Sequence, residues 1–493
     1  MFMRIQNKLV LAMLPLVIAN SFACTTIVVG KLASANGEIM FGRNSDTRSP
    51  SRAKHLKIYT ASADGAKFSA LPYYDTESRD GMLQVAANQY GVAMSATETI
   101  TSGDKALSFD PFVDNGVSEF NVVMPIMRKA KSAAEGVDLI GQRIEKIGAA
   151  EGFGIVVADK NEAWYLETAS GHHWAAVRIP DDAYFVSANQ GRIQQLGIKD
   201  GKFTDGYKGS PDIVDFAVKN GFAAYNDGQF DFRASYQRII NQATGDMHND
   251  INYNYYRIAT LQHQFSGRSL AGFESGQFPT FLKPTHKLSL QDVESGLENY
   301  YQGTPYNPYI SDKAPQYRAI SVFRSSNSHV TVMGKSGDNN IVNIEYIAMG
   351  MPSVGVYIPF YFGISEVPSS YSIGNNLADD QSAFWKFRKL QTLVFTDFKH
   401  NQSLVRNAYD QLQQKIAQQQ VKMEKKYNET HDVKLIQQFT DEAVSEAFKL
   451  TDKLTVTLEE HYNQTHAAKL NFTNADFDRL TEETYQKYPF SGF

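Results

Sequence analysis

The alternation of apolar and polar positions opens on a strand. Cys24 to Lys31 (CTTIVVGK) is rich in Thr, Ile and Val, the residues that favour a pleated, buried surface. Ser34-Ala35-Asn36-Gly37 reads as a turn, Asn-Gly being a strong hairpin signal. Glu38 to Gly42 is the return strand, ending in Gly42-Arg43-Asn44-Ser45-Asp46. Met82 to Ala87, Asn88-Gln89-Tyr90-Gly91 and Val92 to Thr97 predict a second hairpin. From Ser118 to about Gly148 the period becomes helical, with Ser118 as N-cap and Glu119 in the first turn. FGIVVAD, AWYLET, HHWAAVRI and AYFVSAN, within residues 153–188, predict a strand meander. Residues 200–290 carry scattered aromatics without a clear period. From about Asn376 the chain is rich in Gln, Lys and Glu at helical spacing, but holds no strict heptad, so these helices are expected to pack on the rest. The order predicts an α+β chain: antiparallel sheets stacked between helical layers, with a helical C-terminal region.

The amino terminus precedes this pattern and differs from it. Arg4 and Lys8 form a short positive region, Leu9 to Ile18 is apolar, and Ser21-Phe22-Ala23 supplies a cleavage site. That is a secretory signal peptide, shorter than the roughly 20 residues of a membrane span. The organisation expected is residues 1–23 as signal peptide, 24–375 as the main domain and 376–493 as the helical region. The mature protein is expected to be exported, periplasmic or secreted, with no stable membrane insertion.

Composition then narrows the chemistry. A net charge of −5 over 493 residues, without a basic run, gives no electrostatic reason for nucleic acid as partner. There is a single cysteine, Cys24, so no intrachain disulfide is possible, and it is the first residue after the expected cut. Three readings follow. Cys24 is a small buried strand residue; or it is acylated as a lipid anchor of a binding protein, against which stands Ser21 where a lipobox prefers Leu; or it is an N-terminal nucleophile. In the third case the cysteine carries its own base. An α-amine has an unperturbed pKa of about 7.7–8.0 and takes the thiol proton directly or through a water. The hairpin would bring Arg43 and Asp46 near Cys24, and a nearby arginine favours the thiolate.

CTTIVVGKLASANGEIMFGRNSD, NQYGVAMSATETI, EGFGIVVADKNEAWYLETASGHHWAAVRIPDDAYFVSANQ, YNYYRIATLQ, YYQGTPYNPY, SSNSHVTV and SAFWKFRKL resemble the N-terminal-nucleophile cysteine dipeptidases, the family of dipeptidase D and the secernins. Penicillin V acylase and bile salt hydrolase are more distant relatives. The resemblance runs from Cys24 to about Leu390. It implies a four-layer αββα N-terminal-nucleophile hydrolase fold and hydrolysis of dipeptides through a thioester, without metal or organic cofactor. Cys24 matches the nucleophile, Arg43 the thiolate's support and Asp46 the aspartate that orients the α-amine. Asn88 and Asn189 match oxyanion-hole positions, and Arg257 matches the family's later arginine. An N-acyl amidase is the rival within the resemblance, since these positions are shared. A dipeptidase also needs an anion for the substrate's ammonium group, and Glu98, at the end of the strand after Asn88, is the candidate.

Other signals lead elsewhere. His172 and His173, as neighbours on a strand, are expected to point to opposite faces and play structural roles. His461 and His466 are five apart, a poor ligand spacing on a helix, and neither HExxH nor GxSxG occurs. The sequence leaves the oligomeric state open.

Overall fold

The computed structural model describes residues 24–47, 53–59, 67–72, 83–239, 249–310, 316–334, 338–374, 376–466 and 469–487; the segment read as a signal peptide lies outside the described residues. Strand Thr25–Val29 pairs antiparallel with Ile39–Asp46, from Thr25 opposite Asn44 to Val29 opposite Met40. The hairpin differs from expectation in two ways. Its return strand does not stop at Gly42 but continues through Asp46, because Ser325–Met333 pairs along its other edge. Its connection spans residues 30–38 and leans on Pro180–Ala183, with the Gly30 N–H donating to Ala183 O at 2.9 Å and the Leu32 N–H to Asp181 O at 2.7 Å. A Cβ on Gly30 would meet Pro180 O at 2.3 Å, so the approach requires glycine.

Among the described residues, one sheet runs Phe281–Leu282, Tyr184–Ser187, Thr25–Val29, Ile39–Asp46, Ser325–Met333, Asn343–Met349, Ile358–Tyr361. The other runs Tyr207–Gly209, Trp174–Arg178, Ala163–Thr168, Phe153–Ala158, Ala93–Thr99, Leu83–Asn88, Phe68–Pro72, Lys57–Tyr59. The meander expected over residues 153–188 therefore breaks: its first three strands stay in the second sheet, and Tyr184–Ser187 crosses to pair with Thr25–Val29. In the second sheet Val85, Ala87, Val156 and Tyr165 enter the core shared between the sheets. Ala86, Met94, Ile155 and Leu166 face the other way, beneath helices Val123–Met127 and Ala133–Ile147. This period-2 alternation makes the sheet a wall with two apolar faces. Helices Tyr256–Ser266 and Leu290–Glu298 cover the first sheet, completing an α+β, four-layer αββα arrangement.

The helical stretch expected from Ser118 is two helices. Residues 118–121 form turns, the Ser118 N–H donating to Asn121 Oδ1 (3.0 Å), and the first helix begins only at Val123 with Val122 at its cap position, so Ser118 is no N-cap. The cap is Ser132, whose hydroxyl accepts from the Glu135 N–H at 3.2 Å. Ala133–Ile147 then buries Ala133, Gly136, Val137, Ile140 and Ile144, the i, i+3, i+4, i+7 stripe of a helix lying on a sheet. From Ser382 the chain is helical over Ala383–Thr396, Phe398–Thr430, Lys434–Thr465 and Asn474–Lys487. The first of these reaches into the sheet: buried Arg388 donates to Phe323 O (2.5 Å) and Ser325 O (2.6 Å). No helix among the described residues is long and apolar enough to cross a membrane.

Candidate active site

Cys24 is fully buried where its strand begins. In the pleat, residues opposite one another share a face, and Thr26 stands opposite Arg43. Arg43 lies on the Cys24 side: its Nη2 donates to Cys24 Sγ at 3.1 Å and to Gln84 Oε1 at 3.1 Å, and its Nη1 to Gln84 O at 3.3 Å. Burial pushes the thiol pKa up and the Arg43 charge pulls it down, while Asp46 and Glu119 push it up again, for a net rise. The free thiol is therefore mostly protonated and needs a base to become a nucleophile.

Asp46 is three residues beyond Arg43 and so projects from the opposite face. The two do not form an ion pair with each other. Asp46 is fully buried, bonded to Arg318 and to the Ser325 hydroxyl, whose strand Arg388 holds from behind. A carboxylate taken out of water requires such a partner.

Arg257, on helix Tyr256–Ser266, is joined directly to Cys24. Its Nη1 donates to Cys24 O (2.7 Å) and Thr25 Oγ1 (2.9 Å), and its Nη2 to Asn189 Oδ1 (2.9 Å) and Asn254 Oδ1 (2.8 Å). Burial, then Arg318, lowers its pKa to about 9, which leaves it a cation at neutral pH. Asn189 in turn donates from Nδ2 to Thr99 O at 3.2 Å. The loop after Asn189 hangs from Glu167, whose carboxyl accepts the Arg192 and Ile193 N–H groups and is pushed up to about 8 by burial. Cys24, Arg43, Asn189 and Arg257 thus form one connected set, drawn from neighbouring strands of one sheet and one helix.

Asn88 falls outside that set. Its own N–H donates to Val92 O (2.9 Å) inside the hairpin turn. Its carboxamide nitrogen donates to Met127 O (3.0 Å) and Ala130 O (2.8 Å), and its oxygen accepts from the Tyr90 and Val92 N–H groups. The expected oxyanion donor is spent on the turn and on the helix end beside it. The residue of this strand that meets Arg43 is Gln84, four positions earlier and roughly 13 Å away at strand rise. We expect Asn88→Ala to cost about 2–4 kcal/mol of stability in urea unfolding, as buried groups lose partners, with kcat within about threefold of wild type. A loss in kcat of about 100-fold at unchanged stability would return Asn88 to the oxyanion hole.

The backbone of Glu98 pairs with Gly154 and adjoins Thr99, which places it beside Asn189; its side chain lies outside the described residues. His172 and His173 do not diverge. They precede the strand Trp174–Arg178, and both Nδ1 atoms meet Asp110, at 2.7 and 2.8 Å, with the Ser170 hydroxyl donating to the same carboxylate. Among the described residues no cluster of His, Cys, Asp or Glu is arranged to hold a metal ion.

Three residues around the site carried no functional signal in the sequence: Gln84 and Glu119 on the thiol side, and Arg318 on Asp46. A polar run in a central strand did mark the region. Ser325, Ser326, Ser328 and His329 are fully buried, and His329 Nε2 lies 2.9 Å from Ser95 Oγ of the facing sheet. Burial and the Arg43 charge hold His329 neutral.

Residues 23–411 match the description of Peptidase family C69. The chain belongs to peptidase family C69. It is 41% identical over 364 residues to a probable dipeptidase of Salmonella dublin, covering 69% of this chain and 81% of that one. It is 31% identical over 385 residues to probable dipeptidase B of Lactococcus lactis, covering 74% and 79%. A dipeptidase of Bifidobacterium longum is 27% identical over 436 residues, covering 78% and 79%. Among solved structures, a variant of the conjugated bile acid hydrolase of Clostridium perfringens aligns at 9% identity and a TM-score of 0.29, over 66% of this chain and 89% of that one. The C69 match takes in Cys24, Arg43, Asp46, Asn189 and Arg257, and it ends within the helix Phe398–Thr430.

Proposed function

We propose that this C69 hydrolase is an exported dipeptidase that works with Cys24 as its N-terminal nucleophile after residues 1–23 are removed. The observation that carries the reading is the pair of arginines on one residue, Arg43 on the Cys24 sulfur and Arg257 on the Cys24 carbonyl. The C69 relatives named as dipeptidases support the substrate class.

The α-amine of Cys24 accepts the thiol proton, and Sγ attacks the carbonyl carbon of the dipeptide bond. Negative charge develops on the carbonyl oxygen, where the Asn189 carboxamide, oriented by Arg257, donates. The ammonium of Cys24 returns the proton to the departing amine. Water then attacks the thioester with the same amine as base, releasing the first amino acid and the free thiol. Arg43 stabilises the sulfur whenever it carries charge.

The test is a substrate panel for protein that begins at Cys24: free dipeptides, their N-acetyl counterparts and tripeptides. Cleavage of the free dipeptides alone is the expected result. Cleavage of acylated substrates alone would make the protein an amidase with the same nucleophile.

A further inference from the structure

We propose that Glu119 is the group that recognises the substrate's free ammonium, and so restricts cleavage to the bond after an unblocked N-terminal residue. The inference rests on the dipeptidase reading and deepens it.

Glu119 lies in the turn before helix Val123–Met127 and is 1% exposed. It is tied to the catalytic set through one residue. The Thr99 hydroxyl donates to Glu119 Oε1 at 3.1 Å, and the Thr99 carbonyl accepts from Asn189 Nδ2 at 3.2 Å. Carboxylate and oxyanion donor are therefore held on the two ends of one amino acid, within about 10 Å of each other by standard bond lengths. That separation suits the ligand. In a dipeptide the ammonium nitrogen and the first carbonyl oxygen are about 3 Å apart, and a hydrogen bond of about 2.8 Å at each end gives a span of about 8–9 Å. Cleavage at any later bond of a longer peptide would put an amide, not a charge, at the same place.

A second carboxylate reinforces the first. Glu151 Oε1 accepts the Glu119 N–H at 2.8 Å, and Glu151 has no ion-pair partner among the described residues. Burial raises its pKa, against the bond from Glu119. The negative field has a cost for the reaction, because Glu119 and Asp46 both oppose ionisation of Cys24 and only Arg43 favours it. A bound ammonium removes part of that cost. Substrate binding then does two things with one charge: it fixes the amino end and it makes the thiol easier to ionise. An N-acylated substrate brings neither effect.

Three measurements on the mature full-length chain test this. Wild type is assayed on alanyl dipeptides and on the propionyl analogues, which lack only the amino group. Glu119→Gln and Glu98→Gln are assayed on the same pairs. The thiol pKa is read from the pH dependence of iodoacetamide alkylation in the absence of substrate. Wild type is expected to prefer the alanyl substrate by about 100-fold or more in kcat/KM, the scale of a hydrogen bond between charged groups. In Glu119→Gln the preference is expected to fall below about fivefold, mostly through KM, with a thiol pKa lower than wild type because a negative charge has gone. An unchanged preference in Glu119→Gln, equal losses on both substrates, or a preference lost in Glu98→Gln alone would each overturn the assignment. Should Glu119→Gln not fold, a wild type indifferent to the amino group overturns it without any variant. A wild type that cleaves no dipeptide would instead remove the dipeptidase reading, and this inference with it.

Discussion

Protein that begins at Cys24 is expected to hydrolyse dipeptides, and the same protein with Cys24→Ala, or with one extra residue ahead of Cys24, to lose about 10⁴-fold or more in kcat/KM. The two changes act on different atoms. Alanine removes the sulfur proposed to attack. An added residue leaves the sulfur in place but turns the α-amine into an amide, whose nitrogen is no base. The site offers no substitute. His329 is the nearest imidazole in the register, opposite Arg43, but it is bonded to Ser95 and held neutral by burial and by that same arginine. Asp46 is bound to Arg318 and Ser325 on the far face of the strand. Thiol alkylation separates the cases, because the extended protein should still react with iodoacetamide at high pH while failing in turnover. Full activity from an extended chain would show that another base serves Cys24.

Arg257→Ala is expected to lower kcat by about 10²–10³, and Arg257→Lys to recover only part of it. The two terminal nitrogens serve four oxygens in two pairs, Cys24 O with Thr25 Oγ1 and Asn189 Oδ1 with Asn254 Oδ1, while Nε donates to Tyr253 O. A lysine ammonium keeps the charge but has no planar fork, so it cannot hold both pairs at once. Arg257 acts through Cys24 and Asn189, as a positioning residue, and the readouts are chosen accordingly. With Lys, KM for a dipeptide should change less than kcat, and the melting temperature should stay near wild type, whereas Ala should lower both kcat and the melting temperature. Wild-type kcat in Arg257→Lys would leave only charge, and not geometry, as its contribution.

Much of this site was legible in the chain because its signals are local. The Thr/Ile/Val run, the Asn-Gly turn and Gly-Arg-Asn-x-Asp lie within one hairpin, and a hairpin's register follows from its alternation. That placed Arg43 beside Cys24 correctly. The same locality misled at Asn88, where an asparagine before a glycine turn is drawn to its own backbone, as its bonds to Tyr90 and Val92 show. It misled again at Ser118, since Ser132 with Glu135 three residues on offers the better helix start. The segment between Arg178 and Tyr184 looks like one more hairpin turn, and a chain that returns to its own sheet and one that crosses to the next share that local pattern.

The sequence by itself determined the alternation of strand and helix, the cysteine at the expected cut and the arginine beside it, because each depends on neighbours within a few tens of residues. Only the tertiary structure decided that Arg257 grips the Cys24 carbonyl, 233 positions away, and that Asp46 answers to Arg318, 272 positions away. It also decided that Glu119 shares Thr99 with Asn189. The physical reason is common to all three. A charged group buried between packed layers must find its partner in whatever element the fold stacks beside it, and that neighbour is chosen by the packing of whole sheets and helices, which no short stretch of sequence records.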